Sequence, residues 1–331
     1  MSDGVILSEA KLVDEVKKAL NNLKMGRLKS KYVVCCLPEQ RTYLRVVQLP
    51  RMKQEEIGEA IQWEIEANIP MAPSDVYFSW EIVPSARRRV DPGAKLPGNR
   101  GTQDLAAAKL DHLDILVSAA PRHLVDSYNS LFKKVGLKPF SFEPESVALA
   151  RCLMRRDVAE MPVLIVDFGR TSTSFIIYAG YGIRFTTSMQ ISGKLLTENI
   201  RRDLEVDGEE AERLKRNVGM DREKDPRVFD AIIPVITDLK EQIKQYIDFY
   251  TGHATHIHNS KSGIWKVLLS GGDAQLIGLE KYLTLALGIP VEKVNPWINI
   301  LEPPLRETPE LSYEDSIRYA TALGLALTGY R

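Results

Sequence analysis

The sequence has no net charge, little cysteine and no long apolar run, and each shortage excludes a class of function. Lys and Arg number 44 and Asp and Glu number 44, so the formal net charge is +0. A broad nucleic-acid or anionic-membrane surface needs an excess of cations and is excluded, though a local patch is not. Three cysteines are too few for a disulfide framework. Two of them, Cys35 and Cys36, sit side by side in the apolar run 32-YVVCCL-37. Neighbours in a strand point to opposite faces, so they do not form a metal pair, and they read with Cys152 as small buried residues of a reducing compartment. No apolar stretch approaches the ~20 residues that span a bilayer. The first twenty residues carry acids and lack a signal peptide's apolar segment. The expectation is a cytosolic protein that meets a membrane only through partners.

What is present suits about two domains: 331 residues, 44% hydrophobic and 27% charged. Residues 8–24 place Leu12, Val16, Ala19, Leu20 and Leu23 at helical spacing, with Ser8 as the cap. Strands are expected in 31–39, 42–50, 75–84 and 113–121. A helix over 53–68, with Ile57, Ala60, Ile61, Glu64 and Ile65 along one side, stops before Pro70 and Pro73. Trp63 in that helix reads as core, with a contact surface as the alternative. Residues 85–108 are rich in Arg, Gly and Pro and read as a long loop, whose Arg87–Arg89 run is a solvated charge cluster. Two helices follow, 122–137 and 145–156. From Pro162 onward three strands lead into one long charged helical region over 194–218. An amphipathic helix over 228–253, a strand–glycine turn–helix over 265–283, a short strand near 291 and a buried helix over 314–329 complete the chain. The histidines of 253-HATHIHN-259 fit neither one helix face nor one strand face and read as a loop, so no metal is expected.

Three stretches have the composition of a ligand site. In 163-VLIVDFGRTSTSFIIY-178 an apolar run meets Asp-x-Gly-x-Thr-Ser and turns apolar again. Gly169 permits a tight turn, Thr171 and Ser172 add hydroxyls, and successive N–H groups in such a turn form an anion site. Asp167 at the strand end could hold a metal-bound water. In 267-VLLSGGDAQLIGLEKYL-283, Gly271 and Gly272 let a charged group approach a helix N-terminus, while Asp273 would otherwise cap that helix. Gly193 follows a strand and opens a helix. Glu212 and Lys215, three apart on one helix face, could reach a ribose or base, and as an isolated pair would be a solvated ion pair.

In this order and spacing the three stretches resemble the actin-like ATPase superfamily, within it the PilM family of type IV pilus assembly proteins related to FtsA. The resemblance extends through 49-LPRMKQEEIGEAIQWEIEANIP-70, 119-AAPRHLVDSYNSLFKKVGLKP-139, 143-EPESVALARCL-153 and 319-YATALGLAL-327. It implies an α/β, two-lobed, ribonuclease H-like fold with a small α/β insert. The first lobe would comprise 1–40 and 121–160, the insert 41–120, and the second lobe 161–331 with the last helix returning to the first. ATP with magnesium would lie in the cleft. Gly169, Thr171 and Ser172 would meet phosphate, Gly193, Gly271 and Gly272 the nucleoside side, and Glu212 and Lys215 the adenosine, with Asp167 and Asp273 also among the cofactor-binding residues. The family's opening strand–Asp-x-Gly-Ser-Ser–strand hairpin is not found before the first helix. The resemblance therefore implies an incomplete phosphate clamp, an exposed sheet edge in the first lobe and at most a slow ATPase. It also implies partners: the cytoplasmic tail of a PilN-like membrane protein, held near residues 41–70, other pilus assembly components and self-association. A polymerising actin-like ATPase and the cytoplasmic domain of a type II secretion protein of similar fold are the alternatives.

Overall fold

The computed structural model describes residues 4–23, 28, 30–69, 71–83, 112–155, 161–180, 182–253, 263–301 and 308–329. The Arg87–Arg89 run and all of 253-HATHIHN-259 except His253 lie outside them. Within the described residues the chain forms three sheets.

The largest sheet has five strands in the order β10-β9-β6-β7-β8: β6 (Val163–Phe168), β7 (Thr173–Ala179), β8 (Gly182–Met189), β9 (Lys266–Ser270) and β10 (Val291–Lys293). The first three of these in chain order are an antiparallel meander, whereas β9 and β10 run parallel to β6. A strand at the centre of such a sheet is covered on both faces, so it reads as an unbroken apolar run. Val163 to Val166 are accordingly all buried. The connection from β8 to β9 is helical: α5 (Gly193–Leu204), α6 (Gly208–Asn217) and α7 (Pro226–His253). The charged helical region expected over 194–218 comprises two helices, because Glu205 takes a left-handed conformation (φ 54°) and ends α5. α7 buries Val228, Ile232, Val235, Ile236, Leu239 and Ile243 along one stripe. Pro234 falls on its solvent face, where water can satisfy the carbonyl that loses its partner.

The second sheet is antiparallel, β2 (Tyr43–Pro50), β4 (His112–Pro121) and β3 (Val76–Ile82) in the order β2-β4-β3. α2 (Gln54–Asn68) lays Ile57, Ile61 and Ile65 on it, against Leu49, Val76, Ile115 and Val117. Each such buried isoleucine contributes roughly 1.5–3 kcal/mol. Trp63, read above as core, is 73% exposed. It stands two residues from both Ile61 and Ile65, about 200° round the helix, so the isoleucine stripe points it to solvent.

The third sheet is a parallel pair, β1 (Tyr32–Leu37) and β5 (Lys138–Pro144). β5 is not anticipated by the periodicity, since Pro139 and Pro144 interrupt a seven-residue segment. β1 has no strand on its other side among the described residues. Around the pair lie α1 (Glu9–Asn21), α3 (Arg122–Val135), α4 (Glu145–Leu153) and α10 (Ala320–Ala326). The expected apolar stripe of α1 is weak: Val13 is its buried residue, and Ala19 and Leu23 are exposed. The C-terminal helix expected over 314–329 is split into α9 (Tyr313–Ile317) and α10. α10 lies against α4, and Arg151 joins the two by donating to the Gly324 carbonyl at 3.0 Å and the Thr328 hydroxyl at 2.6 Å. Cys152 is buried, Cys35 and Cys36 are half-buried on β1, and burial pushes all three thiols up to about 12.

Candidate functional site

The turn between β6 and β7 is tight and anchored. Asp167 pairs with Ser174 and Phe168 with Thr173, and the Gly169 N–H donates to the Ser172 carbonyl at 3.0 Å. Thr171 is exposed at the tip and Ser172 is half-buried. The N–H groups of Gly193 and Lys194 donate to the carbonyls of Gly169 and Arg170, at 3.0 and 2.9 Å. The first N–H groups of α5 therefore hold the turn in place. The Thr173 hydroxyl adds a 2.6 Å bond to the Ile191 carbonyl, and the Ser192 hydroxyl caps α5 by accepting from the Leu195 N–H.

Behind Gly193 lies a compact ionic cluster. The Asp273 carboxylate presses against the Gly193 backbone so closely that a Cβ there would stand 1.8 Å from Oδ2. Lys215 is 5% exposed; its Nζ lies 2.8 Å from Asp273 Oδ1 and 3.0 Å from Glu212 Oε2. The Thr197 hydroxyl donates to Glu212 Oε2 at 2.8 Å. Burial works to raise the Glu212 carboxyl, but Thr197 and Lys215 outweigh it and hold it down at about 2. Burial raises Asp273, with Lys215 opposing. The Glu212–Lys215 pair is thus not the solvated ion pair its spacing alone suggests. Asp273 buries the ammonium from the other side.

The strand ends supply the third part. Asp167 on β6 sits beside Ser270 on β9 in parallel register. Gly271 takes φ 88°, and a Cβ on it would stand 2.4 Å from the Phe168 carbonyl and 3.0 Å from Asp167 Oδ1. Only glycine permits this approach. The chain then forms a 3-10 turn, Gly272–Gln275, and the next helix, α8 (Leu279–Leu287), starts later. The Ser-Gly-Gly-Asp turn therefore does not open an α-helix N-terminus, and Asp273 is an ion-pair partner and not a cap. The Ser270 hydroxyl is fully buried beside the Asp167 carboxylate, whose charged form it favours, though no partner among the described residues meets strict hydrogen-bond geometry.

Two further carboxylates meet Asp167, and neither carries a signal in the sequence. Glu39, in a 3-10 turn at Glu39–Arg41, is 7% exposed and accepts from the Ser146 N–H at 3.1 Å and the Ser146 hydroxyl at 3.0 Å. Glu145 is the first residue of α4. Burial raises Asp167, the Ser270 hydroxyl opposes this, and the Glu39 charge adds to it. Burial, then Asp167 and Glu39, pushes Glu145 up to about 7. Burial likewise raises Glu39, with Ser146 opposing. Glu39 follows β1 and Glu145 follows β5, so these charges are brought within reach of Asp167 on β6 by the fold and not by the local sequence. Carboxylates that raise one another in this way favour the protonated form.

A groove of about 500 Å³ runs between β2 and β8, each an edge strand of its sheet. Thr42, Leu44, Arg45, Phe185, Thr187 and Phe249 are among its walls. Near it, Arg184 of β8 and Asp114 of β4 form a buried 2.7 Å ion pair that ties the two sheets together.

A family model described as "Type IV pilus assembly protein PilM" matches residues 103–330, well over half of the chain and every candidate residue from Asp167 to Asp273. The chain belongs to the PilM family. Among solved structures it is similar to a PilM-PilN type IV pilus biogenesis complex, with TM-score 0.78 and 27% identity over 100% of this chain and 88% of that one. It is also similar to MreB5 of Spiroplasma citri bound to ADP (TM-score 0.56, 11% identity, 100% of this chain and 78% of that one). A third likeness is to the ethanolamine utilization protein EutJ from Carboxydothermus hydrogenoformans (TM-score 0.53, 15% identity, 99% and 78%). The last two likenesses are of fold, and with PilM they make the fold that of the actin-like ATPases.

Proposed function

We propose that this PilM-family chain is a cytoplasmic scaffold of type IV pilus assembly that binds ATP with magnesium and the tail of a PilN-like membrane protein. The observation that carries the reading is the match along the whole chain to a PilM in complex with PilN. In this reading residues 1–40 and 121–160 form the first lobe, 41–120 the insert and 161–331 the second lobe. Among the described residues no helix is long and apolar enough to cross a membrane, which suits attachment through a partner.

The chemistry of the candidate cleft fits a magnesium nucleotide. The turn that Gly169 permits offers the Thr171 and Ser172 hydroxyls as donors to phosphate, and the buried Ser270 hydroxyl orients Asp167 beside it. Asp167 would face the cation. Among the described residues no group of three or more His, Cys, Asp or Glu side chains could hold a metal, so the phosphates would share the ligation. Gly193, Gly271 and Gly272 keep the walls free of side chains. Glu212 would bond the ribose or base, and Lys215, whose three donors reach Glu212, Asp273 and the Gly193 carbonyl, would hold it in position. The bound nucleotide supplies charge and binding energy that fix how the parts around the cleft sit, and turnover is slow at most.

The PilN-like tail would lie as an extended segment in the groove between β2 and β8, where two unpaired strand edges face one cavity. The test is capture of a synthetic PilN-like tail peptide by the immobilised chain. Retention of the peptide by the wild type, and its loss in the groove-filling variant Thr187→Trp, are the expected results. No retention, with a normally folded chain, removes the scaffold reading.

A further inference from the structure

We propose that the outer face of α2 docks a Lys/Arg-rich segment of a protein partner, with Trp63 as the anchor. Three isoleucines hold α2 on its sheet and leave this indole 73% exposed. On the helix surface its neighbours are the residues four before and three after it, Glu59 and Glu66, both exposed. Glu55 and Glu56 extend the same charge toward the first turn. α2 carries Glu55, Glu56, Glu59, Glu64 and Glu66 and no Lys or Arg, within a chain whose formal charge is zero.

The distribution of this charge suits a cationic partner. Glu55 and Glu56 complement the positive end of the helix dipole. Glu66 lies near the negative end, where the last turn has no basic residue. A cation set on the indole face would make a cation–π contact, and Glu59 and Glu66, about a turn to either side, would attract it and its basic neighbours. An aromatic anchor ringed by polar groups is the usual form of an interaction hot spot. The same acidity repels an anionic lipid surface and a nucleic-acid backbone. It also opposes a two-fold pairing of the face with itself. None of the groove-lining residues belongs to α2, so this surface stands apart from the site proposed for the PilN-like tail.

The test uses the full chain and a fluorescent peptide of alternating lysine and leucine, read by anisotropy. The wild type binds it, and added salt weakens the complex. Trp63→Ala, and separately the double variant Glu59→Gln/Glu66→Gln, each lower the affinity by about tenfold or more. Trp63→Phe, which keeps a ring, loses less. Glu223→Gln, an exposed acid elsewhere, changes nothing, and the same peptide with glutamate for lysine does not bind. Unchanged melting temperatures exclude misfolding as the cause. Equal affinities across these variants overturn the proposal. So does a Trp63→Ala variant that loses a concentration-dependent dimer while keeping peptide affinity, since the face would then belong to a second copy of the chain.

Discussion

Replacing Glu145 by Gln should stabilise the protein, and do so more as the pH rises. Burial beside Asp167 and Glu39 raises this carboxyl from 4.5 to about 7. The folded state therefore holds a proton that the unfolded chain has released. Glu145 contributes fully to stability below about pH 4.5, and the contribution is lost as the pH climbs through about 7. A shift of that size corresponds to ~3 kcal/mol at 1.36 kcal/mol per unit, an upper bound because Glu145 is half-exposed by area and water screens it. Glutamine keeps the shape and cannot ionise. Urea unfolding of both proteins from about pH 4 to pH 8 should show curves that lie close together at the acid end and separate by about 1–3 kcal/mol at the alkaline end. A gap that stays constant with pH, or a variant less stable at pH 8, would refute the carboxylate cluster.

Three further outcomes follow from the same geometry. Lys215→Met leaves Asp273 without its cation and should cost about 3–5 kcal/mol in chemical denaturation; a loss below ~1 kcal/mol would return Lys215 to the solvated pair of its spacing. Gly271→Ala forces a side chain into φ 88° and onto the Phe168 carbonyl. It should lower stability by about 2–4 kcal/mol, read as a drop in melting temperature. Thr187→Trp should leave magnesium-ATP stabilisation intact while abolishing capture of the tail peptide, which separates the groove from the cleft.

Legibility varied with how local the determining physics is. The β6–β7 turn and the helix opening at Gly193 could be read because a turn needs its own glycine and flanking apolar runs. The isoleucine stripe of α2 is equally plain, and it sets a phase that turns Trp63 outward although its aromatic type favours the core. Lys215 shows the converse. Its pairing with Glu212 follows from helical spacing, whereas its burial depends on Asp273, 58 residues on and brought in only by the fold. Glu39 and Glu145 carried no signal at all. They lie at the ends of elements far apart in the chain, and the structure alone makes them neighbours of Asp167. β5 escaped because two prolines break the pattern that would mark a strand, although parallel pairing with β1 tolerates them at its edge. The helical region over 194–218 and the single helix expected over 314–329 are each a pair of helices, since a break at Glu205 or between Ile317 and Ala320 leaves the polar periodicity almost unchanged.

The most direct test of the cleft is calorimetric titration of magnesium-ATP into the wild type and into Gly193→Ala, whose added methyl would displace the Asp273 carboxylate from beside Lys215. The wild type is expected to bind one nucleotide, and the folded variant to bind at least about tenfold more weakly, a difference of roughly 1.4 kcal/mol. Wild type that takes up no nucleotide at millimolar concentration, or a variant with undiminished affinity, would contradict the account.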